Sequence, residues 1–166
     1  NILPYEPLMR QAALDLALRA WGPVFPQLKA AVPGFVYGAF YPEEWQKRQL
    51  SDLGQILDNE PHTVDVAMLQ GQNGSETSQL AGWVCTRIHP EDSMGEVYIL
   101  AVDPQFQRRG IGHALMNHSH DRARAAGMTM MMVETGGDPG HAPARHTYEA
   151  AGYQRWPVAR YFKNLQ

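Results

Sequence analysis

The chain has a single cysteine, Cys85, among 166 residues. Neither an internal disulfide nor a cysteine-based zinc site can be built from it, and the neighbouring Trp83 and Val84 point to a buried thiol. Long apolar runs are also lacking. The longest, Val97 to Val102, falls far short of the roughly 20 residues that cross a bilayer, and no basic segment followed by an apolar stretch opens the chain. A cytoplasmic protein with no membrane partner is therefore expected. Charged residues are scarce at 19%, against 44% hydrophobic ones. That balance argues against disorder and supplies a core for a single domain over residues 1–166. There is no GxGxxG dinucleotide fingerprint, no GxxxxGK[ST] phosphate loop and no GxSxG nucleophile elbow. Internal repeats, heptads and a low-complexity tail are missing too.

The net charge of −3 conceals an asymmetry: residues 1–104 hold 13 acids and 6 bases, residues 105–166 hold 4 acids and 8 bases. A nucleic-acid-binding protein would carry a broadly basic face. A short basic segment within an acidic chain fits one small polyanion better, so no nucleic-acid partner is expected.

Periodicity organises the rest. Ile2 to Tyr5 reads as a short strand, and Glu6 to Trp21 as a helix with Leu8, Ala12, Leu14 and Leu18 on its stripe. Residues 22–41 interleave Pro23, Pro26, Pro33, Gly34 and Gly38 with aromatics, which predicts an irregular, partly helical segment. Pro42 is expected to start a helix running towards Asn59, with Glu43 and Glu44 in its first turn. Val64, Val66 and Met68 alternate along a strand, followed by a loop over Gly71 to Ser78. Leu80 to Ile88 and Glu96 to Val102 complete an antiparallel meander. Arg109 to Ala126 is a helix closed by Gly127, and Met128 to Glu134 a strand parallel to the preceding one. A short helix over Ala142 to Ala151 and a terminal strand over Val158 to Phe162 finish the chain.

The segment with chemical content is VDPQFQRRGIGHAL, Val102 to Leu115. A glycine-containing turn stands between an apolar strand and a helix, so its backbone N–H groups can converge where the helix dipole is positive. Glycine permits close approach by a phosphate, and Arg108 and Arg109 add charge-assisted bonds. Gln107 to Gly112 is similar to the [RQ]xxGx[GA] signature of the GNAT superfamily of acetyl-CoA-dependent N-acetyltransferases. A second GNAT pattern, NxxAxxxYxxxGF, resembles His141, Ala144, Tyr148, Gly152 and Tyr153, with His in place of Asn and Tyr in place of Phe.

That resemblance, over most of the chain, implies a GNAT-like α/β domain with a mixed, mostly antiparallel twisted sheet and flanking helices. It implies that acetyl-CoA is the cosubstrate, held by backbone pairing from Leu100, Ala101 and Val102 and by a pyrophosphate cradle of Gln107, Arg108, Arg109, Gly110, Ile111, Gly112 and His113. His141 stands where the family's Asn contacts the cofactor arm. Tyr148 stands where the family often has a tyrosine beside the CoA sulfur, and a phenol of pKa about 10 can protonate a departing thiolate.

An amine acceptor must also lose a proton before it attacks. Glu96 opens the central strand at a place similar to the base of the histone-acetylating members, and Glu134 ends the next strand, where some N-terminal acetyltransferases carry theirs. An isolated strand-end glutamate is otherwise ordinary solvated charge. Glu96 is the favoured base.

His113, His118 and His120 lack the i, i+4 spacing of a helical metal pair, so solvated histidines and no metal are expected. The run Met130 to Met132 is expected to be core filler. The aromatics Trp21, Phe35, Tyr37, Tyr41 and Trp45, with acidic Glu43, Glu44, Asp92 and Glu96, suit a cationic small-molecule amine such as an aminoglycoside-like antibiotic or a polyamine. No nucleophilic Cys or Ser is visible, so direct attack in a ternary complex is expected. A protein or peptide N-acetyltransferase and a non-catalytic acyl-CoA-binding module are the alternatives, and homodimer formation stays open.

Overall fold

The computed structural model describes residues 1–71 and 77–166, so the expected loop over 71–78 lies largely outside the described residues. Five strands form one sheet in the order β1-β2-β3-β4-β5: β1 (Ile2–Pro4), β2 (Val64–Leu69), β3 (Gln79–His89), β4 (Met94–Val102) and β5 (Met130–Val133). The first four are antiparallel neighbours and β5 is parallel to β4. This is the mixed, mostly antiparallel sheet that the patterning predicts. The parallel pair follows from the crossover helix α5 (Ile111–Ala125), which returns the chain to the edge from which it left.

Helices cover both faces. α1 (Arg10–Trp21) and α4 (Trp45–Asn59) pack on one face, where Leu14, Leu16, Leu53, Ile56 and Leu57 meet Val64, Val66, Trp83 and Cys85. Leu53, Ile56 and Leu57 share a helical face because three- and four-residue steps return to one side. Trp83 is wholly buried, and its indole N–H donates to the Ala13 carbonyl at 3.1 Å, satisfying the one polar group such a large ring brings inside. Cys85 is buried as well, beside the Thr63 hydroxyl at 3.2 Å, and burial pushes its thiol pKa up. α5 covers the other face, where Ile111 and Leu115 pack with Ala81, Val84 and Val97, and where the buried hydroxyls of Thr86 and Ser119 pair at 2.7 Å.

Several expected boundaries move. A 3-10 turn at Pro7–Met9 precedes α1, and the buried face of α1 is Ala13, Leu14, Leu16 and Ala17, leaving Leu8 exposed. The proline-rich segment is more regular than its composition suggests. It forms α2 (Val24–Ala31) and α3 (Gly34–Phe40), with Pro23 and Pro33 in the N-cap positions, where a missing N–H costs nothing. α4 starts three residues later than expected, so Glu44 is its N-cap and neither Glu43 nor Glu44 lies in its first turn. α6 (Ala142–Ala150) forms as expected.

The terminal strand is not found. Among the described residues no strand follows β5, and Trp156, Val158 and Tyr161 are largely exposed, while the Phe162 ring meets Phe40 edge-on at 5.8 Å. An alternating apolar pattern becomes a strand only where an edge pairs with it, and no such pairing forms here. Two expectations about side chains also change. His118 and His120 are not free in solvent: His118 lies 3.1 Å from the buried Asp65 carboxylate, which also receives Arg122 at 2.7 Å, and His120 meets the Tyr153 hydroxyl. Met131 fills space under Gly95 as core filler would, whereas Met130 is half-exposed.

Candidate active site

The centre of the sheet is distorted where chemistry is expected. Opposite β3, Cys85 faces Ile99 and Thr86 faces Val97, so Tyr98 is an extra residue and β4 bulges there. Pairing with β5 ends at Val97↔Val133. Beyond the bulge β4 and β5 part, and among the described residues Leu100, Ala101 and Val102 have ladder partners only on β3. Their other backbone edge is therefore open to an extended ligand that supplies complementary amides.

β4 runs straight into the cradle. After a 3-10 turn at Pro104–Phe106, Arg108 takes a left-handed conformation with φ +63°, and Gly110 takes another with φ +80° as the N-cap of α5. The Gln107 N–H still reaches the Pro104 carbonyl, and the Ala114 N–H starts the helical ladder on Gly110. Between them the N–H groups of Arg108, Arg109, Gly110, Ile111, Gly112 and His113 have no protein acceptor among the described residues. Left-handed turns that aim successive N–H groups outward, at the positive end of a helix, make an anion site. Space above Gly110 is open, with nothing within 4 Å of where a Cβ would stand. The Arg109 guanidinium lies 5.6 Å from the centre of the Phe106 ring, which holds its charge beside the turn.

Tyr148 is partly buried on α6, 5.9 Å from the Tyr153 ring in an edge-to-face pair, and Tyr153 donates to or accepts from His120 at 2.7 Å. Burial raises the Tyr148 pKa, and burial, with Tyr148 beside it, lifts that of Tyr153 to about 12. The imidazole of His120 is held below its ordinary pKa by burial and then by nearby Arg124. Among the described residues the Tyr148 hydroxyl has no protein hydrogen-bond partner, so a protonated phenol is left available.

The two proposed bases differ. Glu96 on β4 is only 13% exposed, and its Oε1 lies 2.8 Å from His89 Nε2 at the end of β3, with Glu91 beyond the other ring nitrogen. Glu134 follows β5 and is exposed, without an ion-pair partner among the described residues. His89 is the neighbour that the sequence alone did not single out, since β3–β4 register, and not proximity along the chain, brings it to Glu96.

The aromatic segment forms a cleft of about 750 Å³ between α2, α3 and the start of α4, lined by Tyr37, Tyr41, Trp45, Lys29, Glu43 and Glu44 among others. Two of its lining rings are backed by the buried Phe25, which stacks on Trp45 at 4.3 Å and is met edge-on by Tyr41. Of the five aromatics expected to bind an acceptor, Tyr37, Tyr41 and Trp45 come together here. Trp21 packs against the core instead, and Phe35 points to solvent. Glu43 is engaged by Lys47. Asp92 and Glu96 lie away from this cleft, at the β3–β4 connection and on β4.

The 136–142 loop is drawn to the same side. Asp138 caps the turn at Pro139–His141 through the Gly140 N–H and pairs with His141, while Arg145 holds the Gly136 and Asp138 carbonyls at 2.7 Å each. Gly140 sits so close to the Val24 carbonyl on α2 that a Cβ would be 2.8 Å from it. His141 is thus committed to Asp138, and the 136–142 loop touches the segment that forms the aromatic cleft.

A model of the acetyltransferase (GNAT) family matches residues 35–153. The chain belongs to the GNAT family. A mycothiol acetyltransferase from Rhodococcus jostii is 27% identical over 148 residues, covering 86% of this chain and 47% of that protein. The match thus spans less than half the length of these curated relatives. Two solved GNAT-fold structures share its architecture. One is an aminoglycoside 6'-N-acetyltransferase from Acinetobacter haemolyticus, with TM-score 0.60, 13% identity, and 99% and 97% of the two chains covered. The other is the ribosomal-protein-S18-alanine N-acetyltransferase from Escherichia coli, with TM-score 0.57, 22% identity, and 99% and 84% covered. One GNAT scaffold thus serves a small-molecule and a protein acceptor, so the acceptor must be argued from side chains. Among the described residues no group of three or more metal-ligating side chains occurs, and no helix is long and apolar enough to cross a membrane.

Proposed function

We propose that this GNAT chain transfers acetyl from acetyl-CoA to the primary amine of a cationic small molecule, by direct attack in a ternary complex. The observation that carries the proposal is the run of six N–H groups from Arg108 to His113 without an acceptor among the described residues, placed after a strand whose backbone, among those residues, is unpaired on one side from Leu100 to Val102. A diphosphate fits the first feature, because it offers several acceptor oxygens to N–H groups that otherwise have none. An arm bearing amides fits the second. His141 contributes less than its motif position implies, since Asp138 already engages it.

In this reading the amine enters from the side of the aromatic cleft, where ring faces favour a cation and Glu44 supplies a charge that no ion pair among the described residues cancels. Lys29 stands 5.7 Å over Tyr37 and the Arg48 guanidinium 5.5 Å over Tyr41, so both rings already carry a cation, and the face of Trp45 not stacked on Phe25 is the better platform. Glu96, backed by His89, takes the ammonium proton directly or through water. The free lone pair adds to the thioester carbonyl, and collapse of the tetrahedral adduct expels the thiolate. Tyr148, a phenol that is protonated at neutral pH, gives that sulfur its proton and regains one from the acylated nitrogen, which sheds its surplus proton to become a neutral amide.

The test is incubation with acetyl-CoA and separate panels of aminoglycosides, polyamines and short peptides, reading free thiol and acceptor mass. Turnover with the first two panels is the expected result. Turnover with peptides alone would reassign the acceptor, and acetyl-CoA binding with no turnover on any amine would favour a binding module.

A further inference from the structure

Asp103 is the most deeply buried carboxylate beside the cradle, with its side chain 2% exposed. Its backbone N–H extends the sheet by bonding to the Ala81 carbonyl at 2.9 Å. One carboxylate oxygen accepts the Gln105 N–H at 3.1 Å, capping the Pro104–Phe106 turn, and the other receives Arg19 Nη2 at 2.5 Å and Nε at 3.2 Å from the last turn of α1. Burial alone would push this carboxyl's pKa up. Arg19 and the Gln105 N–H outweigh that and hold it below the usual carboxylate range.

A buried negative charge five residues before the first open N–H of the cradle, that of Arg108, is an unfavourable choice unless it does something an uncharged residue cannot. Here the carboxylate joins the tip of α1 to the turn that sets the direction of Gln107, at a residue whose backbone is already tied to β3. We infer that Asp103 and Arg19 are positioning residues: their ion pair fixes the path of the chain into the cradle and so aims the Arg108 to His113 N–H groups. The inference rests on the cofactor reading above. It goes beyond it by assigning cofactor affinity to a pair that does not itself line the cradle.

Two variants separate positioning from simple electrostatics because they leave opposite charges behind. Arg19→Gln leaves a bare carboxylate near the cradle, and Asp103→Asn leaves a bare guanidinium. If the pair acted only through its field, the first would weaken CoA binding and the second would tighten it. If the pair positions the turn, both weaken it, by about ten-fold, the lower end of what partners just behind a binding site contribute. Binding of CoA to the intact chain is measured by calorimetry, with kcat and KM for acetyl-CoA alongside. Positioning predicts a higher KM in both variants, kcat at saturation within about two-fold of wild type, and partial recovery in Arg19→Lys, which keeps the charge. Arg19 is half-exposed, so its variants test the inference even if Asp103→Asn folds poorly. Opposite signs in the two variants, or unchanged CoA affinity with only a lower melting temperature, would overturn it while leaving the cradle intact. Failure of the wild type to bind CoA would overturn the cradle and this inference together.

Discussion

Gly110 is where the cradle can be tested with least ambiguity, because its backbone and its surroundings make separate demands. Its φ of +80° disfavours any Cβ, yet no atom lies within 4 Å of where that Cβ would stand. Strain is therefore the only structural cost of a substitution, about 1 kcal/mol for a left-handed L-residue and less for Asn or Asp, which tolerate that region. In a chain of this size about 1 kcal/mol lowers the melting temperature by roughly 2–4 °C. Gly110→Asn should show that and little more. Gly110→Asp has nearly the same shape but adds a charge. At about 6 Å from a phosphate and an effective dielectric of about 20, the repulsion is roughly 3 kcal/mol per phosphate charge before screening. Salt at an exposed loop removes a good part of this. A net loss of about 3 kcal/mol remains when two phosphates are present, or roughly 10²-fold in CoA affinity. Calorimetry at two ionic strengths measures it, and the gap between Asp and Asn should narrow as salt rises. Equal affinities for the Asp and Asn variants would mean that no phosphate approaches Gly110, and the cradle assignment would fall.

Tyr148→Phe should lower turnover by roughly 10²-fold, within the range for a lost general acid, with acetyl-CoA affinity nearly unchanged; near-normal steady-state rates would return Tyr148 to a packing role. Glu96→Gln should depress the rate most at lower pH and recover at high pH, where free amine is already present, whereas Glu134→Gln should alter substrate affinity or nothing; pH–rate profiles showing the reverse would move the base to the end of β5. Tyr153 should govern alkaline stability. Its folded pKa of about 12 stands above the ordinary value of 10.0, so its contribution is intact below pH 10 and lost as pH rises towards 12. Thermal melts across that window should fall more steeply for the wild type than for Tyr153→Phe, and identical slopes would show that Tyr153 ionises freely in the folded protein.

What could be read from residues alone follows from local constraints. The turn between β4 and α5 was legible because the glycines at 110 and 112 sit where an apolar strand meets a helix, and φ +80° at Gly110 is a demand made by a few bonds. β3, β4 and α5 were legible because their apolar periods run long enough to leave no rival. The short helix that carries Tyr148 and the parallel β4–β5 pair followed from the residue pattern and chain direction. Other features depended on partners that only the fold brings together. Pairing of Asp103 with Arg19, 84 residues earlier, of Glu96 with His89 across the β3–β4 register, and of the Gly140 loop with α2 all arise where packing brings separate segments into contact. The buried face of α1 shifted from its expected stripe because the sheet, and not the helix, decides which side is covered. The pattern at Val158 to Phe162 predicts a strand that does not form, since a strand needs hydrogen bonds from a neighbour and a single segment's sequence carries no information about whether one is there.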